Sequence, residues 1–220
     1  MPQQILKSIW EFTYNVIIIV TIVVIIRTFL ISPFHVSGNS MVPTLRHNDY
    51  IIIDKLSYFA REPKFGDVIV FTPPNPRMST IKGVQCFITK VSAVSFSEET
   101  CNTPDFFIKR VMGVGGDTLE IREGDVLRNG ELLAEEYLDE FNSHRTFIPE
   151  KKQEKTYEVP EGKYFVLGDN RNGSSDSRAH SREWLDTVTG KYIPYVNRED
   201  IEGRLFFTLV SPEKIQEFLK

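Results

Sequence analysis

From Phe12 to Ile26 the chain carries no charge, and Val16 to Ile26 is an unbroken run of β-branched residues. Arg27 interrupts it, and Thr28-Phe29-Leu30-Ile31 extends it. Counted from Trp10 to Leu30 the stretch holds about 21 residues, roughly 31 Å as a helix, enough to cross a hydrocarbon core. Its apolar residues face every side, so it lacks the polar stripe of a helix that packs one face on a core. A cleaved secretory peptide would need small residues just after the apolar run, and Ile31-Ser32-Pro33-Phe34-His35-Val36 fits poorly. The expectation is an uncleaved membrane anchor over 12–32, with a tail at 1–11 and one domain over 33–220. Arg27, near one end, can snorkel to the interface. Lys7 and the N-terminal amine favour that end inside, while Glu11 and Arg27 weaken the asymmetry.

After Pro33 the pattern changes to β-structure. Tyr50-Ile51-Ile52-Ile53-Asp54 and Asp67-Val68-Ile69-Val70-Phe71 are short β-branched runs bounded by turn residues. Thr72-Pro73-Pro74-Asn75-Pro76 stops the second. Phe106 to Val114 reads as a third strand, closed by the turn Gly115-Gly116-Asp117. Val126 to Leu133 reads as a hairpin, because Asn129-Gly130 supplies the two positive φ angles of a type I′ turn. Tyr164–Leu167 and Leu205–Val210 look like buried strands, and helical periodicity returns only after Pro212. The fold expected is mainly β: an antiparallel sheet domain with a small inserted subdomain, tethered by one N-terminal transmembrane helix. Excursions from the sheet are placed at about 73–105, 118–158 and 179–191.

The first excursion carries both cysteines, Cys86 and Cys101. In an oxidising compartment one disulfide closing that loop would contribute about 3 kcal/mol; the alternative is two free thiols. No histidine neighbours them, which argues against zinc. A net charge of −4 and the absence of any Lys/Arg block argue against a nucleic-acid partner.

Two residues carry candidate chemistry. Ser40 lies in Ser37-Gly38-Asn39-Ser40-Met41-Val42-Pro43-Thr44-Leu45, and Lys109 in Phe106-Phe107-Ile108-Lys109-Arg110-Val111-Met112. A serine hydroxyl is a poor nucleophile until a base removes its proton. At an ordinary lysine pKa fewer than about one amine in a thousand is neutral at pH 7; a pKa near 8 raises this to about one in ten. Burial against the apolar neighbours of Lys109 would achieve that. The competing reading makes Lys109 a solvent-facing edge-strand residue and Ser40 part of an ordinary turn. His35, His47, His144 and His180 keep a Ser-His-Asp arrangement open.

A third segment, Gly168-Asp169-Asn170-Arg171-Asn172-Gly173-Ser174-Ser175-Asp176-Ser177-Arg178, follows a buried strand. With the Ser40 and Lys109 segments, Pro33-Phe34 and Phe65-Gly66-Asp67-Val68-Ile69-Val70-Phe71, it resembles the bacterial type I signal peptidases. These are membrane-bound Ser/Lys serine proteases that remove secretory signal peptides. The resemblance runs from the anchor to about Val210. It implies Ser40 as nucleophile, Lys109 as general base and Ser174 as the hydroxyl that orients the lysine amine. Asp176 and Arg178 match a structural ion pair. Phe34, Val36, Leu45, Phe107 and Ile108 match positions lining shallow pockets for small residues at −1 and −3 of the substrate. The implied partners are Ala-x-Ala signal peptides and the lipid bilayer, with no cofactor and no metal. The implied location is the bacterial cytoplasmic membrane, single-pass, with the catalytic domain on the extracytoplasmic face. Two features depart from the pattern. Many members carry Ser or Thr at the position of Gly38, as an oxyanion donor. Ala179 to Lys191 looks like an insertion before Tyr192-Ile193-Pro194.

Overall fold

The structure is a computed structural model that describes residues 2–26, 30–76, 78–81, 101–148, 155–179 and 181–209. Its first element, α1 (Pro2–Ile25), starts at a proline, where the missing N–H is no loss because first-turn donors are unpaired anyway. Lys7–Ile25 is long and apolar enough to cross a membrane, and nothing in the chain buries that window. Ile17 and Ile19 remain 59% and 60% exposed, which a core helix of a soluble domain would not allow. The helix takes in residues 2–11, expected as a tail, because no breaker follows Pro2. At its other end Ile31 and Ser32, expected inside the anchor, belong instead to a strand, where Pro33 is tolerated on an edge.

The strands described are β1 (Ile31–His35), β2 (Tyr50–Asp54), β3 (Val68–Phe71), β4 (Met78–Ile81), β5 (Cys101–Pro104) and β6 (Phe107–Gly113). They continue with β7 (Thr118–Arg122), β8 (Asp125–Arg128), β9 (Glu131–Leu132), β10 (Lys155–Glu158), β11 (Lys163–Leu167), β12 (Val196–Asn197) and β13 (Ile201–Leu209). The main antiparallel sheet runs β1-β2-β13-β3-β6-β11-β12. β3 is buried at all four positions, as its continuous Val-Ile-Val-Phe run requires. β6 lies between β3 and β11, so Lys109, paired with Ile69, is not an edge-strand lysine.

The excursions acquire structure. Residues 118–158 supply a four-stranded sheet, β10-β7-β8-β9, which shares a core with Met112, Phe165 and Leu167 of the main sheet. Its β8–β9 turn has the expected positive φ at Asn129 (54°) and Gly130 (83°). β4 and β5 form a two-stranded ribbon; Cys86, and with it the expected disulfide, lies outside the described residues, as does the helix expected after Pro212. In the 179–191 segment Trp184 is fully buried against Phe71, so that residue anchors the segment to the core, while 187–191 are exposed.

The buried strand expected at Leu205–Val210 is not found over its described residues: Phe206, Phe207 and Leu209 are 65%, 53% and 46% exposed. A register shift between Leu205 and Phe207 breaks the alternation there, and burial is confined to the start of β13.

Candidate active site

Ser40 sits on the connection from β1 to β2. Its base is closed by Val36 N–H donating to Asp49 O (2.8 Å) and Asn48 N–H to Val36 O (3.0 Å). Met41 and Leu45 plug the loop into a core with Ile51, Ile53 and Val70. The segment after β11 grips it from the other side. Asn170 N–H donates to Ser40 O and its side chain to Asn39 O, each at 3.0 Å. Asp169 accepts from Arg110 Nη2 (2.7 Å) and Nε (2.9 Å) and from Thr44 Oγ1 (2.5 Å). Consecutive strand residues point to opposite faces, so Lys109 and Arg110 serve two different sites.

Lys109 Nζ lies 2.8 Å from Ser40 Oγ and also donates to Ile108 O at 2.9 Å. The side chain is 3% exposed. Burial lowers the amine's pKa from 10.5 to about 8, against the opposing pull of the Asp176 and Asp169 carboxylates. A base of that strength keeps a useful neutral fraction near neutrality.

Asp176 and Arg178 form a buried two-pronged ion pair, Nη2 to Oδ2 at 2.7 Å and Nε to Oδ1 at 2.8 Å. Burial would raise the Asp176 pKa, but the charge and hydrogen bonds of Arg178 and the N–H of Gly168 hold it below the usual carboxylate range. Ser174 Oγ is buried without a hydrogen-bond partner among the described residues. It therefore makes no bond to Lys109 here, although it lies beside Gly168 and the Ser40 carbonyl.

A cleft of about 660 Å³ opens over the pair, lined by Phe34, Val36, Phe107 and Ile108 among others. Leu45, expected as a fifth lining residue, is fully buried in the core beneath the loop. Its side chain anchors the loop and has no surface left for a ligand.

Among the described residues no histidine is hydrogen-bonded to Ser40 Oγ, which pairs with Lys109. His47 Nδ1 accepts the Gly38 N–H (3.0 Å), and His144 pairs with Asp125 (2.6 Å). His35 lines the cleft; His180 is outside the described residues.

This chain matches the family described as "Signal peptidase, peptidase S26" over residues 9–210. The chain belongs to the signal peptidase family. "Probable signal peptidase I-1" of a Synechocystis species is 31% identical over 181 residues, covering 80% of this chain and 79% of that protein. "Signal peptidase I" of Leptolyngbya laminosa is 33% identical over 179 residues, 81% of this chain and 68% of its own. A crystal structure of a signal peptidase I from Enterococcus faecalis covers 66% of this chain and 98% of its own, at 27% identity and a TM-score of 0.41. Signal peptidases are serine peptidases, and the exposed apolar α1 fits a membrane-anchored member.

Sequence reading did not single out Gly168, the Arg110–Asp169–Thr44 clamp or the Gly38–His47 contact. Gly168 and Asp169 stood inside a recognised segment, but no spacing rule pairs position 169 with positions 44 and 110. That contact depends on how a central strand and two separate loops meet.

Proposed function

We propose that this chain removes N-terminal signal peptides from preproteins, with Ser40 as nucleophile and Lys109 as general base. The observation that carries the reading is the 2.8 Å Ser40–Lys109 contact with the amine buried, in a chain of this family. In the neutral state Lys109 takes the Oγ proton as Oγ attacks the substrate carbonyl carbon. The resulting ammonium returns the proton to the leaving amine, and the acyl-enzyme remains. Lys109 then deprotonates a water that hydrolyses the ester and frees Ser40.

Ser174 completes this cycle. A buried hydroxyl without a partner is unfavourable by roughly 1–3 kcal/mol. The ammonium formed on Lys109 loses its Ser40 acceptor during acylation, and Ser174 Oγ, the partnerless hydroxyl near Gly168 and the Ser40 carbonyl, takes up the freed N–H. A hydrogen bond to a charged group supports a loss of roughly ten- to a hundredfold in kcat for Ser174→Ala, with KM little changed. Unchanged kcat would remove Ser174 from the mechanism.

The cleft supports an Ala-x-Ala preference: Phe34, Val36, Phe107 and Ile108 leave shallow apolar depressions that a large side chain overpacks. Exposed Ile31, Tyr50, Phe207 and Leu209 occupy neighbouring strands at the end of the sheet that α1 leads into. That apolar stretch suits a domain resting on a bilayer, where a signal peptide's own core lies. The domain order is thus an anchor followed by the catalytic sheet, and Lys7 supports an outward-facing catalytic domain on the cytoplasmic membrane.

The test is cleavage of an Ala-x-Ala preprotein by the full chain in detergent, with the new N-terminus mapped. Replacing the −1 Ala by Phe is expected to lower kcat/KM by roughly five- to a hundredfold, as overpacking by about 1–3 kcal/mol implies. Equal cleavage of both would overturn the pocket assignment. Cleavage of one dedicated substrate, with general preproteins refused, would mark a specialised processing peptidase.

A further inference from the structure

The tetrahedral intermediate of acyl transfer needs N–H donors aimed at its oxyanion. Among the described residues Ser40 N–H has no hydrogen-bond partner, which leaves it available for that task. Gly38, at φ +107°, brings no side-chain donor. What holds the backbone just before Ser40 is a pair of contacts, one on each side. Asn39 O accepts from the Asn170 side chain, and Gly38 N–H donates to His47 Nδ1 at 3.0 Å. The His47 ring meets His35 edge-on (centroids 6.4 Å apart), and His35 in turn lies 5.1 Å from Tyr50.

We propose that His47 is a positioning residue for the oxyanion side of the site: by accepting the Gly38 N–H it sets the 38–40 backbone so that Ser40 N–H meets the developing oxyanion. The inference rests on the reading of Ser40 as nucleophile. Accepting at Nδ1 places the ring proton on Nε2. A second proton, on Nδ1, would turn the acceptor into a donor facing another donor. The clamp is therefore made only by an Nδ1 that carries no proton. The Gly38–His47 bond is solvent-exposed; a substrate lying over residues 34–41 would exclude water from it and strengthen it.

The test is kcat and KM for preprotein cleavage by the full chain in detergent, with His47→Ala and His47→Asn. His47→Ala should lower kcat about three- to tenfold near pH 9, the worth of one modest hydrogen bond, with KM little changed. His47→Asn, whose side-chain oxygen accepts the same N–H, should recover most of this. An unchanged kcat in His47→Ala, a loss carried by KM alone, or no recovery in His47→Asn overturns the inference while leaving the Ser40–Lys109 reading intact. If His47→Asn were dead and Lys109→Met active, the reading beneath it would fall instead, in favour of a histidine base.

Discussion

A Lys109→Met chain is expected to lose all measurable turnover and yet unfold at a higher temperature than its parent. Both results come from the same buried amine. In the unfolded chain the amine has its ordinary pKa of 10.5, and in the folded chain burial brings it to about 8. Below pH 8 it is protonated in both states, and the native state bears the full disadvantage of a buried cation. Between about 8 and 10.5 the unfolded state holds more protons, so stability rises with pH across that window. Above it the amine is neutral in both states and the disadvantage is gone. The fall from 10.5 to about 8 corresponds to about 3 kcal/mol at neutral pH, at 1.4 kcal/mol per tenfold. Methionine fills the same space without charge, and the lost bonds to Ser40 Oγ and Ile108 O offset part of the gain. A net stabilisation of roughly 1–2 kcal/mol follows. In the parent, kcat/KM should fall about tenfold per pH unit below about 8, as the neutral fraction of the base declines. Thermal unfolding and cleavage assays at pH 7 decide the matter. A Lys109→Met chain that keeps one hundredth of parental activity would place the base elsewhere; one that is less stable would deny the amine its lowered pKa.

Gly168→Ala should be nearly as damaging, through geometry alone. A Cβ built on Gly168 comes within 2.2 Å of Ser174 Oγ and 2.4 Å of the Ser40 carbonyl oxygen. Rotating the hydroxyl does not relieve Ser174, whose Cβ lies at 2.5 Å, and the carbonyl is main chain and accepts the Asn170 N–H, so it retreats only by moving Ser40. Gly168 N–H also donates to Asp176 Oδ2 at 3.1 Å, which ties the other side of this backbone to the buried ion pair. A displacement of about 1 Å between nucleophile and base is enough for a hundredfold loss in kcat. Overpacking should also lower stability by about 1–3 kcal/mol, so kcat is to be measured on protein shown to be folded. A folded Gly168→Ala chain with half the parental kcat would show that the loop yields without disturbing Ser40.

The sheet was legible in the residues because its strands are short β-branched runs between strong turn signals, and the Asn129-Gly130 hairpin follows from chemistry within two residues. Lys109 was harder. Alternation assigns it a face but cannot say whether that face is covered; the distant Ser40 loop, which meets the amine at 2.8 Å, decides this. Leu45 shows the same limit from the other side: a family position at the pocket becomes, in this loop, a core plug alongside Met41. Phe206 and Phe207 read as core by composition, whereas a one-residue irregularity in pairing leaves them outside. Gly168 has no signal of its own, since its need is for empty space that two distant residues occupy.

The order of the main sheet also has a temporal side. β2, which follows the Ser40 loop, reaches β3 and β6 only through β13, which comes later in the chain than every other described element. A ribosome therefore delivers the serine early and the lysine midway, yet the strand that spans the gap between them emerges last. Until it docks, no strand pairing joins β2 to β3, and the contacts of Asp169 and Asn170 with the Ser40 loop hold the two halves of the dyad together. The strand framework of the dyad is thus completed only after both of its residues have been made.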